Sequence, residues 1–274
     1  MELISNYLTI DVEDYFQVAA FEKLVQPTSW GGYASRVERN TAVLLALLAR
    51  YGVKATFFIV GWTAEQHPEL VRAITAEGHE IGCHSYQHQK IYTLTPEEFR
   101  QDTKKAKEIL EDISGRPVVG YRAPTYSITK KSLWALDILE ELGFQWDSSI
   151  FPIMHDNYGI PDAPRFEYQL PGRNMKEYPI STALLFGQKI PIAGGGYFRL
   201  FPYWLTKTAL RSINRKENKP FVFYLHPWEV DPEQPRFDQA GWKSRFRHYH
   251  NLEKTEKRFE QLLQDFQFQP IPGA

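Results

Sequence analysis

Residues 78–88 read Gly78-His79-Glu80-Ile81-Gly82-Cys83-His84-Ser85-Tyr86-Gln87-His88. The first six form a short strand-like run. Two histidines four apart follow it directly, a spacing that suits one divalent metal ion. A second cluster, Asp11-Val12-Glu13-Asp14, ends the first strand-like run of the chain and could complete that site. Two strand ends rich in metal-ligating side chains, far apart in sequence but meeting at one mouth, point to an active site rather than a surface patch.

Working outward, strand-like and helix-like stretches alternate. Residues 7–12 read as a strand, and 36–51 have helical periodicity with Gly52 at the C-cap position. A buried strand follows at 54–60, a helix at 64–76 and the strand at 78–83. Thr95, Pro96 and Glu98 form an N-terminal capping signature for a helix running to about residue 113, where Ser114-Gly115 stops it. Residues 117–121 form a fourth strand and 131–142 a helix ended by Gly143. Further strands are expected at 144–148, 178–182 and 221–225, and a last amphipathic helix at 253–266. This is a βαβα order with about seven strands, so the expected fold is α/β, a mostly parallel sheet closed or nearly closed into a barrel. Two long excursions, 151–179 and 227–251, interrupt it, and long loops in a compact domain are more often functional than accidental.

Composition excludes several classes. The 274 residues carry 32 Lys+Arg and 33 Asp+Glu, so a net charge of −1 gives no reason to expect nucleic acid or an anionic membrane as partner. A single cysteine, Cys83, excludes an internal disulfide. The longest apolar stretch, 42–49, falls far short of the roughly 20 residues that span a bilayer. Residues 1–6 lack a basic leader and a long apolar region, so the expected location is cytoplasmic. The 15 tyrosines and 7 tryptophans suit sugar-stacking surfaces or an aromatic-rich core equally well.

Residues with chemistry fall at strand ends: Asp11, Glu13 and Asp14 after the first strand, His84 and His88 after the third, Arg122 after the fourth, Asp147 on the fifth and His226 after the last. Barrel enzymes build their sites at this end of the strands. Because side chains alternate along a strand, Thr9, Asp11 and Glu13 share one face and Leu8, Ile10 and Val12 the other. Glu13 is therefore favoured as the carboxylate ligand. Asp14 is the second candidate, or else a cap for the following turn. His67, His79, His155, His248 and His250 read as ordinary hydrogen-bonded residues, and Cys83 as a buried structural thiol.

At this point the chain resembles the polysaccharide deacetylases of carbohydrate esterase family four. The motifs that carry the resemblance are Thr9-Ile10-Asp11-Val12-Glu13-Asp14, His84-Ser85-Tyr86-Gln87-His88, Arg122-Ala123-Pro124, Trp146-Asp147-Ser148-Ser149 and Leu225-His226, in the expected order over residues 7–226. The first motif departs from the common adjacent aspartates, and Thr125 followed by Tyr126 stands where an aromatic residue is usual. Pro227-Trp228-Glu229-Val230-Asp231-Pro232 and Gly194-Gly195-Gly196-Tyr197-Phe198-Arg199 resemble a subgroup encoded with bacterial exopolysaccharide and exosortase systems.

The resemblance implies a distorted seven-stranded (β/α) barrel over residues 1–274, with a subgroup-specific extension from about 227. It implies a metal-dependent hydrolase that removes N-acetyl groups from amino sugars of a bacterial polysaccharide or its precursor. One divalent ion, Zn²⁺ or else Co²⁺, Ni²⁺ or Fe²⁺, would be held by His84, His88 and Glu13 or Asp14. Asp11 would be the general base, Arg122 its partner, the Thr125 N–H an oxyanion donor and His226 the general acid, oriented by Asp147. Tyr126, Tyr197 and Trp228 would line the sugar site, with the glycines at 194–196 allowing close backbone approach. The rival readings are a metal-independent amidohydrolase of small cyclic amides or ureides and a non-catalytic glycan-binding or assembly protein.

Overall fold

The computed structural model describes residues 4–155 and 158–273. Its organising element is strand β1 (Ser5–Val12), buried along almost its whole length. On one side β1 pairs in parallel with β10 (Val222–Leu225), and on the other with β2 (Thr56–Ile59). The sheet continues in parallel through β3 (Glu80–Cys83), β4 (Gly120–Tyr121), β5 (Trp146–Asp147) and β7 (Lys176–Glu177). These seven parallel strands form the expected α/β barrel-type sheet. Two additions extend it: β6 (Tyr168–Gln169) pairs antiparallel outside β7, and β11 (Gln267–Gln269) pairs with the start of β1. The strands of β2 and β10 are apolar and buried throughout, as a parallel sheet covered on both faces requires. The sheet is curled rather than fully laddered into a ring. Ser181, just past β7, spans the gap: the Val222 N–H donates to its Oγ at 2.8 Å.

Helices α1 (Val37–Arg50), α2 (Gly61–Gln66), α3 (Pro68–Ala76), α4 (Pro96–Ser114) and α5 (Trp134–Glu141) connect the first five strands. The capping box at Thr95 and Glu98 forms as expected, and Gly115 ends α4 in the left-handed conformation. The helix expected over 64–76 is two helices. His67 ends α2 and precedes α3, because Pro68 offers no N–H to continue the ladder. The strand expected over 178–182 is also different. The sheet takes Lys176–Glu177, while β8 (Thr182–Leu185) and β9 (Gln188–Pro191) form a separate antiparallel hairpin. Helices α6 (Gly195–Leu200), α7 (Tyr203–Ser212), α8 (Trp242–Tyr249) and α9 (Leu252–Asp265) complete the order. Above the strand ends, Phe16, Phe21, Trp30 and Val60 pack with Trp228 and Leu252, which fixes the loop after β1 against the C-terminal segment. Among the described residues, no helix is long and apolar enough to cross a membrane.

Candidate active site

The face of β1 that carries Thr9 and Asp11 meets a buried guanidinium. Arg122 Nη1 donates to Asp11 Oδ1 and to Thr9 Oγ1, both at 2.7 Å, while Nη2 and Nε donate to Ser148 Oγ and O. The guanidinium also lies 4.1 Å from the centre of the Phe58 ring. The two-residue period that put Asp11 and Glu13 on one face thus delivers both to the mouth of the barrel. Arg122 has a second task. Its carbonyl accepts from His84 Nδ1 at 2.7 Å, which fixes the imidazole and leaves Nε2 free as a lone-pair donor.

Glu13, His84 and His88 offer ligand atoms that all lie within 4.8 Å of one another. Glu13 Oε2 stands 2.7 Å from His88 Nε2, yet this buried oxygen receives no hydrogen bond of good geometry. Burial pushes the His84 imidazole down to about 4, so it is neutral at pH 7. Burial would raise Glu13, but His88 and His226 hold it well below the usual carboxylate range. One ionised carboxylate and facing imidazoles with lone pairs to spare are a donor set that fits a divalent ion. The His84–His88 turn is itself held from α4: Asp102 accepts from the backbone N–H groups of Tyr86 and Gln87. Ser85, His88, Thr125 and Tyr126 all have positive φ without being glycine, a clustering of backbone strain typical of functional loops.

His226 closes the ring from β10. Its Nε2 is 3.4 Å from Glu13 Oε1 and 3.9 Å from Asp11 Oδ2. Its Nδ1 is 2.7 Å from Glu229 Oε1, and Glu229 Oε2 in turn accepts from Arg199 Nε at 2.6 Å. Arg199 is anchored by the carbonyls of Arg247, His248 and His250. Burial would lower the His226 pKa, but Glu13 and Glu229 lift it to about 9. A cavity of about 180 Å³ is lined by these groups together with Thr125, Tyr126, Tyr158 and Tyr224. The buried Tyr126 hydroxyl has no hydrogen-bond partner among the described residues.

Several expectations are corrected. Asp14 lies outside the ligand group: it accepts from Ser35 Oγ and from the N–H groups of Tyr15, Arg36 and Val37, and so pins the start of α1. Asp147 does not reach His226. It faces Glu177 across β5 and β7 and accepts from Ser149 Oγ, and it is Glu229 that stands beside His226 Nδ1. Trp228 lines the cavity as expected but is largely buried, so it presents only an edge there. Its Nε1 donates to Glu13 Oε1 at 3.2 Å and its ring is stacked between His226 and His248. Gly194 and Gly195 serve packing, since a Cβ on Gly194 would stand 2.0 Å from the Tyr224 carbonyl oxygen. Tyr197 and Gly196 line a neighbouring hollow instead of the cavity itself. Sequence reasoning missed Asp102, and it placed Glu229 and Arg199 only inside subgroup motifs without giving either a role. A further signal for Glu229 was its position three residues after His226 across a Pro-started turn.

The chain matches known families in two consecutive parts. Residues 30–146 match the polysaccharide deacetylase family, and residues 148–273 a domain of unknown function, DUF3473. The first of these parts is similar in sequence to polysaccharide deacetylases. A peptidoglycan-N-acetylglucosamine deacetylase of Bacillus cereus is 28% identical over 148 residues, covering 50% of this chain and 53% of that protein. The chain spans about half, or less, of the length of the curated relatives it matches. The fold of the chain is like that of Puue allantoinase (TM-score 0.59, 16% identity, 96% of this chain and 85% of that one). It is also like that of a CE4 family pseudoenzyme of Bacillus anthracis (TM-score 0.51, 16% identity, 98% and 64%).

Proposed function

We propose that the protein is a metal-dependent N-deacetylase acting on an amino-sugar unit of a bacterial glycan. The observation that carries this reading is the convergence of Glu13, His84 and His88 with the Asp11–Arg122 pair and His226 around one cavity. A divalent ion held by Glu13, His84 and His88 would polarise the acetyl oxygen and acidify water. Asp11, held in place by Arg122, takes the proton of the attacking water. The Thr125 N–H and the Tyr126 hydroxyl face the charge that develops on the acyl oxygen. His226, held protonated by Glu229, gives its proton to the departing nitrogen as the C–N bond breaks, so acetate and the free amine leave. The complete ligand group favours this reading over the metal-free amide hydrolysis that the likeness to an allantoinase fold would otherwise allow.

The test combines metal analysis of freshly purified protein with acetate release from N-acetylglucosamine oligosaccharides. The wild-type chain is expected to hold about one divalent ion and release acetate, and His84→Ala to lose both. Full acetate release from a chelated, metal-free sample would overturn the metal assignment. A metal-loaded protein that releases no acetate from any acetylated amino sugar would overturn the deacetylase reading.

A further inference from the structure

The segment from 148 to 273 builds more than the end of the barrel. Tyr158 and Tyr224 are shared between the catalytic cavity and a second hollow of about 300 Å³. Every side chain lining that hollow belongs to this segment, among them Tyr197, Phe246, Arg247 and His250. Phe246 and His250 are shared again with a third, shallower hollow of about 400 Å³ that continues past Trp242 and Arg245. The three hollows are therefore successive neighbours, each sharing two lining residues with the next, in a row that starts at the catalytic cavity.

Helix α8, Trp242-Lys243-Ser244-Arg245-Phe246-Arg247-His248-Tyr249, forms the outer wall. Residues four apart share a helix face. Trp242, Phe246 and His250 therefore make one aromatic stripe, and the Phe246 and His250 rings are 4.7 Å apart. Trp242 is 71% exposed and Phe246 50%, more than packing alone accounts for in rings of this size. Lys243 and Arg247 make a cationic stripe beside it. The helix holds three Lys or Arg and no acidic residue in eight positions; Arg245 is paired with Asp238 at the rim of the third hollow, which leaves Lys243 and Arg247 as the cations for a ligand. Flat rings stack on the apolar faces of pyranoses, and guanidinium groups bind carboxylates in forked pairs.

We propose that this row of hollows forms a groove that holds the flanking sugars of a negatively charged oligosaccharide, with carboxylate-bearing units against α8 while the acetylated unit occupies the catalytic cavity. The inference rests on the deacetylase reading for what enters that cavity. A basic helix with exposed aromatics also suits an anionic membrane surface. The placement favours the glycan, because the stripe lines hollows in the row that starts at the catalytic cavity.

Calorimetric titration of the whole chain separates these outcomes. The probes are a hexasaccharide alternating glucuronate and N-acetylglucosamine, the neutral hexamer of N-acetylglucosamine, and phosphatidylserine vesicles. The acidic hexamer is expected to bind about tenfold more tightly than the neutral one at low salt, a margin that fades as salt rises. Trp242→Ala should weaken both hexamers, Arg247→Glu should erase the preference for the acidic one, and Arg247→Lys should retain most of it. Equal affinities for the two hexamers, or a preference unchanged in Arg247→Glu, would overturn the proposal. Vesicle binding that the acidic hexamer fails to displace would overturn it too, in favour of a membrane surface. Tight binding of the acidic hexamer without acetate release would support the groove and count against the deacetylase reading alone.

Discussion

Two pairs of buried acids lie in this barrel, and their neighbours give them opposite characters. Asp11 and Glu13, at the end of β1, are surrounded by cations and imidazoles: Arg122, His88 and His226. Asp147 and Glu177 face one another directly across β5 and β7. Asp147 Oδ2 and Glu177 Oε2 are buried and neither has a hydrogen-bond donor among the described residues, an arrangement that a proton shared between them would satisfy. Burial raises both of their pKa values. The first pair is faced by cations and lines the cavity, while in the second each carboxyl faces the other and burial raises both. Residue type and position at a strand end do not separate the two cases; the charges that face each carboxylate do.

The largest effect that would break this contrast concerns Asp11. If its charge is the catalytic base, Asp11→Asn should leave metal bound and lower the rate of acetate release by roughly 10²–10⁴-fold, the usual scale for removing a positioned proton-transfer group. Asn keeps an oxygen that can accept from Arg122, so folding should survive. Single-turnover rates with metal content measured on the same sample decide it. A variant within twofold of wild type would place the base elsewhere.

A smaller effect sharpens the comparison at His226. Its raised pKa depends on Glu13 and on Glu229, whose own charge Arg199 holds in place against burial. Activity that needs protonated His226 is lost as pH rises through this pKa. Glu229→Gln keeps an acceptor for Nδ1 but removes the charge, so the alkaline limb should move down by about one pH unit and kcat should fall about twofold at pH 8, approaching about tenfold only well above the wild-type limb. The metal-loaded wild type is the reference, because a bound cation also offsets Glu13. An alkaline limb that stays in place in Glu229→Gln would show that another group is the acid, or that Glu229 only supports the fold.

The candidate ligand group and the placement of Asp11 beside it were legible in the sequence because local rules set them. Strand alternation puts Asp11 and Glu13 on one face, and a single tight loop carries both His84 and His88. The barrel order followed from alternating strand and helix patterns with strong caps, of which Thr95 and Gly115 are examples. What was not legible depends on tertiary contacts of short elements. Strands β4 and β5 are two residues long, too short for periodicity to say which way Asp147 points. Arg199 and Glu229 meet across 30 residues only because α6 folds over β10 on the glycines that approach Tyr224. Asp14 reads as a plausible ligand until the start of α1 is seen resting on its carboxylate. Helix α8 lay hidden inside what looked like a long polar loop.

The smallest expected effect tests the second acid pair, and it appears in stability rather than rate. Both carboxyls have pKa values above those of the unfolded chain, near 4 for ordinary carboxyls, so the folded protein binds more protons than the unfolded one above that pH. Stability contributed by the shared proton is present at low pH and is lost as pH rises past about 4, at up to about 1.4 kcal/mol per pH unit for each retained proton. Glu177→Gln removes one titrating group but keeps an oxygen to accept from the Ile150 N–H, the bond that Glu177 Oε1 makes at 2.9 Å. Its amide can also donate to Asp147, so Asp147 can ionise beside a neutral partner. The variant should therefore match or slightly exceed wild-type stability at pH 8, and its urea midpoint should depend less steeply on pH between 5 and 8. Acetate release should be affected far less than in Asp11→Asn, since Glu177 does not line the catalytic cavity. If the two proteins instead show the same slope across that range, no proton is shared between β5 and β7, and the contrast between the two acid pairs fails.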